Sequence, residues 1–167
     1  MTLNHTSELY DLTNLNREYL KKWLPWLNSI KCKENTKKFI ELSLINFSKK
    51  TAYTYVILFE TKICGVIEFY KINKKENVAS LGYWLSEEFT GKGIVSKAVN
   101  DLLVIGFNEL KLNKIEISCA EKNIKSRAVA KRLGFSYEKT IKDAEWLYTK
   151  YVNHVIYSLN QNDLINS

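Results

Sequence analysis

Residues 81 to 99, Leu-Gly-Tyr-Trp-Leu-Ser-Glu-Glu-Phe-Thr-Gly-Lys-Gly-Ile-Val-Ser-Lys-Ala-Val, carry a strand end, a glycine-flanked turn and the start of an amphipathic helix in direct succession. From Ile94 onward, positions 94, 95, 98, 99, 102, 103, 106, 107 and 110 trace one apolar helix face. Gly91 and Gly93 let the backbone curl so that its amides converge, and a helix N-terminus adds about half a positive charge. Such a turn cradles an anion of the size of a diphosphate. A dinucleotide fingerprint would need a further glycine where Ser96 stands, and an NTPase phosphate loop would need Ser or Thr where Gly93 follows Lys92. Both patterns fail.

Outward from the turn, the chain alternates between elements. Leu9, Leu12, Leu15, Tyr19, Leu20, Trp23, Leu24 and Leu27 recur at helical spacing interrupted by Pro25, and Phe39, Ile40, Leu42, Ile45 and Phe47 predict a second helix. Residues 52 to 60 and 63 to 71 are β-branched and aromatic and predict a hairpin turning at Thr61-Lys62, and 77 to 85 predict a third strand. Ile115, Ile117 and Cys119 alternate with Glu116 and Ser118 as a half-buried strand, and Ser126 to Leu133 predict a helix stopped by Gly134. Residues 135 to 141 and 152 to 159 fit two last strands with the irregular segment 142 to 151 between them. The class is therefore α/β or α+β around one mixed sheet.

Composition narrows the function classes. A chain of 167 residues with 46% hydrophobic and 13% aromatic content and one proline reads as a single domain, 1 to 167, with a sizeable core. The apolar runs are too short to span a bilayer and the N-terminus lacks a secretion signal, so no membrane partner and a cytoplasmic location are expected. Cys32, Cys64 and Cys119 form no close pair, and with His5 and His154 as the two histidines no metal site is expected. The net charge of +7 comes from lysines scattered among acidic residues rather than from one block, which disfavours nucleic acid.

Residues 82 to 99 together with 123 to 135, Asn-Ile-Lys-Ser-Arg-Ala-Val-Ala-Lys-Arg-Leu-Gly-Phe, resemble the GNAT superfamily of acetyl-CoA-dependent N-acetyltransferases. Within it, Gly-Tyr-Trp-Leu-Ser-Glu-Glu-Phe at 82 to 89, Asn123-x-x-Ser126 and Asp143-Ala144-Glu145 resemble the Rim-type branch, which acetylates N-terminal amines of ribosomal proteins. The resemblance implies a mostly antiparallel sheet flanked by about four helices. It implies acetyl-CoA as co-substrate and an amine acceptor such as a protein N-terminus, in a monomer or homodimer. Three departures stand out. The family pattern Gln/Arg-x-x-Gly-x-Gly/Ala reads Thr90-x-x-Gly93-x-Val95; Ala130 replaces a tyrosine that serves relatives as thiolate acid; and Thr2-Leu3-Asn4 is too short to replace a first edge strand. The expectation is a sheet edge left uncovered or filled by a partner subunit.

Acyl transfer from a thioester needs a polarised carbonyl, a neutral amine and a proton for the departing thiolate. Amides at a splayed strand end, Trp84-Leu85, would serve the carbonyl, and those of Gly91, Lys92, Gly93, Ile94, Val95 and Ser96 the diphosphate. Glu145 reads from sequence as a solvated loop carboxylate or as a base desolvated by Trp146, and the resemblance assigns it the base. Ser126 reads as a helix N-cap, and its matching position in the Rim-type branch is the thiolate acid. Asn123 is expected on the pantetheine amides, while Arg127 reads equally as a CoA-phosphate ligand or a solvated arginine. Trp23 and Trp26 wall the acceptor groove or pack a core. Cys119 reads as a buried structural thiol, because no activating partner is apparent, and direct transfer follows. A small-molecule amine or polyamine as acceptor, and a non-catalytic CoA-binding module, are the alternatives.

Overall fold

The glycine turn lies between a strand and a helix, as its residue order predicts. The computed structural model of the chain describes residues 1–164. Its strands are β1 (Tyr53–Phe59), β2 (Lys62–Asn73), β3 (Val78–Leu85), β4 (Lys114–Ala120), β5 (Ser136–Leu147) and β6 (Lys150–Asn160), and its helices α1 (Thr6–Leu15), α2 (Arg17–Leu20), α3 (Lys33–Ser48), α4 (Ile94–Val104) and α5 (Ile124–Arg132). They form one six-stranded sheet in the order β1-β2-β3-β4-β6-β5. Only the β3–β4 pair is parallel. Against about four expected helices there are five, the additional one being the single turn α2. Leu3–His5 is a 3-10 turn rather than a strand, so β1 is the first strand among the described residues and pairs with β2 alone.

Local chemistry explains where the elements join. The β1–β2 hairpin closes through Glu60 and Thr61, one residue earlier than predicted, with φ of 47° and 71°. Positive φ at both central residues is the geometry of a type I′ turn, whose twist matches the flanking strands. The segment 142 to 151 corrects the sequence reading more strongly. It is not an irregular connector but the continuation of β5 and β6, which are joined at Tyr148-Thr149. β5 carries a bulge between Ile141 and Glu145, where Asp143 has a φ of 48°.

The two faces of the sheet differ in kind. One packs against α4 and α5 and holds the larger core, including Phe69, Leu81, Ile115, Ile117, Val155 and Tyr157. Its burial supplies most of the apolar driving force for the fold. The amphipathic α4 seals it with Val99, Leu102 and Leu103 before widening into a π turn at Ile105–Glu109. There a side chain on Gly106 would come within 2.7 Å of Ile115 and 2.8 Å of Phe69. The other face is apolar at one end, where Leu9, Leu12 and Ile40 of α1 and α3 cover Ile63 and Val66, and carries Ile156 of β6 opposite Ser118. The register of the ladders places Glu68, Tyr70, Ser80, Gly82, Glu116, Ser118, Glu145 and His154 together on the rest of it. A core face and a polar working face therefore share one sheet.

β3 and β4 do not stay together. Their parallel pairing runs from Val78 opposite Lys114 to Leu81 opposite Ile117 and then stops, so Gly82–Leu85 and Ser118–Ala120 diverge. The gap they leave joins the two faces beside the glycine turn.

Candidate active site

The turn itself has the geometry of an anion site. Gly91 and Gly93 adopt φ of 79° and 74°, and a side chain at either would project into open space, so backbone conformation rather than room demands glycine. Gly93 caps α4 without a side-chain hydrogen bond, and the first amide to find a helical partner is that of Lys97, 3.0 Å from the Gly93 carbonyl. The amides of Ile94, Val95 and Ser96 are thus left for a ligand at the positive end of the helix. Thr90 and Val95, the two departures from the family pattern, leave this conformation in place, with the Thr90 hydroxyl donating to the Glu87 carbonyl at 2.8 Å.

A cavity of about 480 Å³ runs from this turn into the gap between the diverging strands, walled by Tyr83, Trp84 and Leu85 of β3, by Asn123, Ser126 and Val129 of α5, and by Tyr19, Leu20 and Trp23 beside α2. Two cations border it, Lys125 and Arg132; the Arg132 guanidinium donates to Ser96 Oγ at 3.1 Å, beside the orphan amides. Orphan amides with the Arg132 guanidinium beside them at one end, and an apolar slot at the other, fit a diphosphate continued by an extended arm.

At the inner end of the slot, hydroxyls gather. Asn123, not Ser126, is the N-cap of α5: its Oδ1 accepts the Ser126 amide at 3.2 Å, which frees the Ser126 hydroxyl. That hydroxyl lies 3.0 Å from the Tyr83 hydroxyl, which is also 3.1 Å from the Ser126 carbonyl oxygen. Burial pushes the Tyr83 phenol up to about 12, with the Ser126 hydrogen bond a smaller, opposing influence, so Tyr83 remains a neutral donor. Burial likewise pushes the Cys119 thiol up, against weaker opposing effects of Ser126 and Arg127, which keeps the thiol protonated and a poor nucleophile. Ala130 is fully buried.

Across the gap, on the polar face, Glu145 stands in β5 rather than in a loop. Trp146, its neighbour in the strand, points to the opposite face, half exposed and edge-on to Tyr151, and does not desolvate it. Glu145 Oε2 lies instead 3.4 Å from His154 Nε2, and His154 Nδ1 is 2.9 Å from Ser118 Oγ. Trp84 and Trp26 face each other nearby with ring centroids 6.3 Å apart and planes tilted by 54°. Trp23 lines the cavity itself, beside α2.

The Lys92 side chain lies over the rings of Phe89 and Phe59, at 5.1 and 5.8 Å, and borders a second cavity beside β1, which leaves the expectation for its backbone amide in the turn unaltered. Arg127 donates to the Tyr157 hydroxyl at 3.1 Å and to the Glu121 carbonyl at 3.0 Å, and Arg132, not Arg127, lines the cavity. Sequence reasoning missed Tyr83, Arg132, Ser118 and His154. Arg132 alone carried a local signal, a cation in the last turn of the helix, two residues before the stop at Gly134. Among the described residues no group of three or more His, Cys, Asp and Glu could hold a metal, and no helix is long and apolar enough to cross a membrane.

A mixed sheet split beside a glycine-capped helix, with an anion cradle leading into the split, defines an acyl-CoA-dependent transferase. The chain matches the acetyltransferase (GNAT) domain family over residues 1–136 and belongs to it. It is 32% identical over 155 residues to the ribosomal-protein-serine acetyltransferase of Escherichia coli (strain K12), covering 93% of this chain and 87% of that protein. Among solved structures it is similar to the microcin C7 self-immunity acetyltransferase MccE in complex with acetyl-CoA and AMP, at 34% identity, a TM-score of 0.90 and coverage of 95% and 88% of the two chains. It is also similar to the ribosomal L7/L12 alpha-N-protein acetyltransferase RimL in complex with coenzyme A, at 28% identity, a TM-score of 0.93 and coverage of 96% and 90%. The protein is an N-acetyltransferase, and acetyl-CoA is its co-substrate.

Proposed function

We propose that the acceptor is the N-terminal α-amine of a protein, a ribosomal protein as the name of the Escherichia coli relative suggests, that the reaction takes place in the cytoplasm, and that Glu145 is the base and Ser126 the acid. The observation that carries the reading is that these two residues lie on opposite faces of the sheet that the β3–β4 gap joins, Ser126 in the slot and Glu145 on the polar face. An acceptor entering over the polar face meets the carboxylate, and a thiol arriving through the slot meets the hydroxyl. The amine nitrogen bonds to the acetyl carbon as the carbon–sulfur bond breaks; Glu145 takes the proton from nitrogen, sulfur receives one from Ser126, and exchange with solvent returns the serine proton and removes the one on Glu145. Carbonyl polarisation falls to the strand-end amide of Leu85, which faces the gap, whereas the register turns the expected Trp84 amide toward Val66 of β2.

An α-amine suits a carboxylate base, because at a pKa near 8 it is neutral about two hundred times more often at neutral pH than a lysine near 10.4. A small-molecule amine is the second reading, favoured by the Trp26–Trp84 pair, which offers aromatic faces beside the gap, and by the AMP bound in the MccE structure. Thiol release against a panel of peptides, lysine side chains, polyamines and aminoacyl nucleotides separates the two. Peptides with free N-termini turn over fastest on the first reading; faster turnover of any other class refutes it. Glu145→Gln loses about 100-fold or more in kcat, the usual contribution of a general base, and full turnover at saturating substrate would remove Glu145 from the mechanism.

A further inference from the structure

The geometry points to His154 as the positioning residue of the acetyl-transfer site, holding Glu145 toward the acceptor while Ser118 fixes the tautomer of its ring. This deepens the assignment of Glu145 as base and rests on it. Three strands contribute: Ser118 from β4, His154 from β6 and Glu145 from β5. Ser118 is the first β4 residue beyond the last β3–β4 pair, so the chain of polar groups begins at the edge of the gap. Ser118 Oγ is 2.9 Å from Nδ1, and Nε2 is buried, makes no hydrogen bond in this conformation and lies 3.4 Å from Glu145 Oε2.

A bare lone pair on Nε2 would face a carboxylate oxygen at that distance, so the hydrogen belongs on Nε2 and Nδ1 accepts from the Ser118 hydroxyl. A buried N–H with no other partner is costly to leave unmet, and a small rotation of the Glu145 carboxylate satisfies it. One carboxylate oxygen is then fixed and the other is presented to the acceptor. Tyr70 of β2 and Tyr148 of the β5–β6 turn are the other titratable groups in electrostatic reach of Glu145.

The backbone is bent to make this contact. Ile141 pairs with His154 and Glu145 with Val152, so β5 spends four residues where β6 spends two. An unbroken ladder would bring Asp143 opposite Val152; the bulge substitutes the longer Glu145. Asn153 pins the bulge, accepting the Asp143 amide at 3.0 Å and donating to Glu121 Oε2 at 2.9 Å. Bulges of this kind re-aim side chains beside active sites.

Four variants test the role in thiol-release assays, with thermal melts and acetyl-CoA protection against melting as controls for folding and cofactor binding. His154→Ala lowers kcat about 10- to 100-fold, as misplacement of a catalytic group does, with KM for acetyl-CoA unchanged. His154→Gln, which keeps an amide N–H near the position of Nε2, restores most of the loss. In a Glu145→Gln background His154→Ala costs nothing further, because the two act as a unit. Ser118→Ala lowers kcat by a smaller factor in the same direction and serves if His154→Ala does not fold. Wild-type kcat in His154→Ala or in Ser118→Ala, no restoration by His154→Gln, or a further loss in the double variant would overturn the positioning role. If His154→Ala is fully active while Glu145→Gln is not, the base stands without its support; an active Glu145→Gln removes both.

Discussion

Replacing Tyr83 with Phe deletes one oxygen from the inner end of the CoA slot and leaves the ring in place. That oxygen is 3.0 Å from Ser126 Oγ and 3.1 Å from the Ser126 carbonyl. The lost buried hydrogen bond is worth about 1 kcal/mol of stability. For a chain of this length that lowers Tm by roughly 2–4 °C, a shift too small to empty the folded state. The effect on rate is larger if Ser126 is the proposed acid, because the Tyr83 oxygen fixes the rotamer of the hydroxyl that would protonate sulfur. A general acid contributes about 10²–10⁴, and a thiolate leaves readily, so loss of orientation costs about 10- to 30-fold in kcat, or roughly 1.4–2 kcal/mol. Because the phenol titrates only near 12, the deficit is constant across the pH range of a thiol-release assay. The assay is run at saturation in both substrates for Tyr83→Phe, Ser126→Ala and the double variant. If the two hydroxyls form one unit, the double variant is no slower than Ser126→Ala. A kcat within twofold of wild type, or losses that multiply, would refute the reasoning.

Two further expectations concern binding and pH. Arg132→Ala raises KM for acetyl-CoA about fivefold, the worth of one exposed charge-assisted contact, and leaves kcat and Tm unchanged; an unaltered KM would return the phosphate role to another cation. Burial raises the Glu68 carboxyl above its ordinary value, the Thr54 hydroxyl opposing this more weakly. The folded state then binds more protons than the unfolded one between those two values, so this group costs stability as pH rises through that window. Glu68→Gln, which keeps an acceptor for Thr54, therefore melts higher than wild type at pH 7 and equal to it at pH 3, and equal melting temperatures at pH 7 would contradict the desolvation argument.

The parts of this site that are local in sequence are legible in it. The glycine turn is written in two residues that tolerate positive φ, and α4 in a repeat of apolar positions along one segment. The β5–β6 hairpin hides because β5 is exposed along nearly its whole length, which removes the alternation by which a half-buried strand announces itself. From sequence Arg127 reads equally as a phosphate ligand or a solvated arginine, and five residues along a helix turn a side chain by about 500°, so Arg132 points elsewhere. Arg127 faces the sheet and Tyr157, and Arg132 faces α4. His154 could not be read at all, since its partners lie 36 and 9 positions away, in strands whose adjacency only the sheet order β4-β6-β5 creates.

The divergence of β3 from β4 leaves two strand segments, Gly82–Leu85 and Ser118–Ala120, each with one edge unsatisfied in the middle of a sheet rather than at its rim. An edge so placed is a template. The amide-bearing arm of the co-substrate can lie between the segments as a borrowed strand, taking ladder bonds that no part of the described chain supplies. The sheet is then completed by the molecule it consumes, and reopens each time the spent thiol departs.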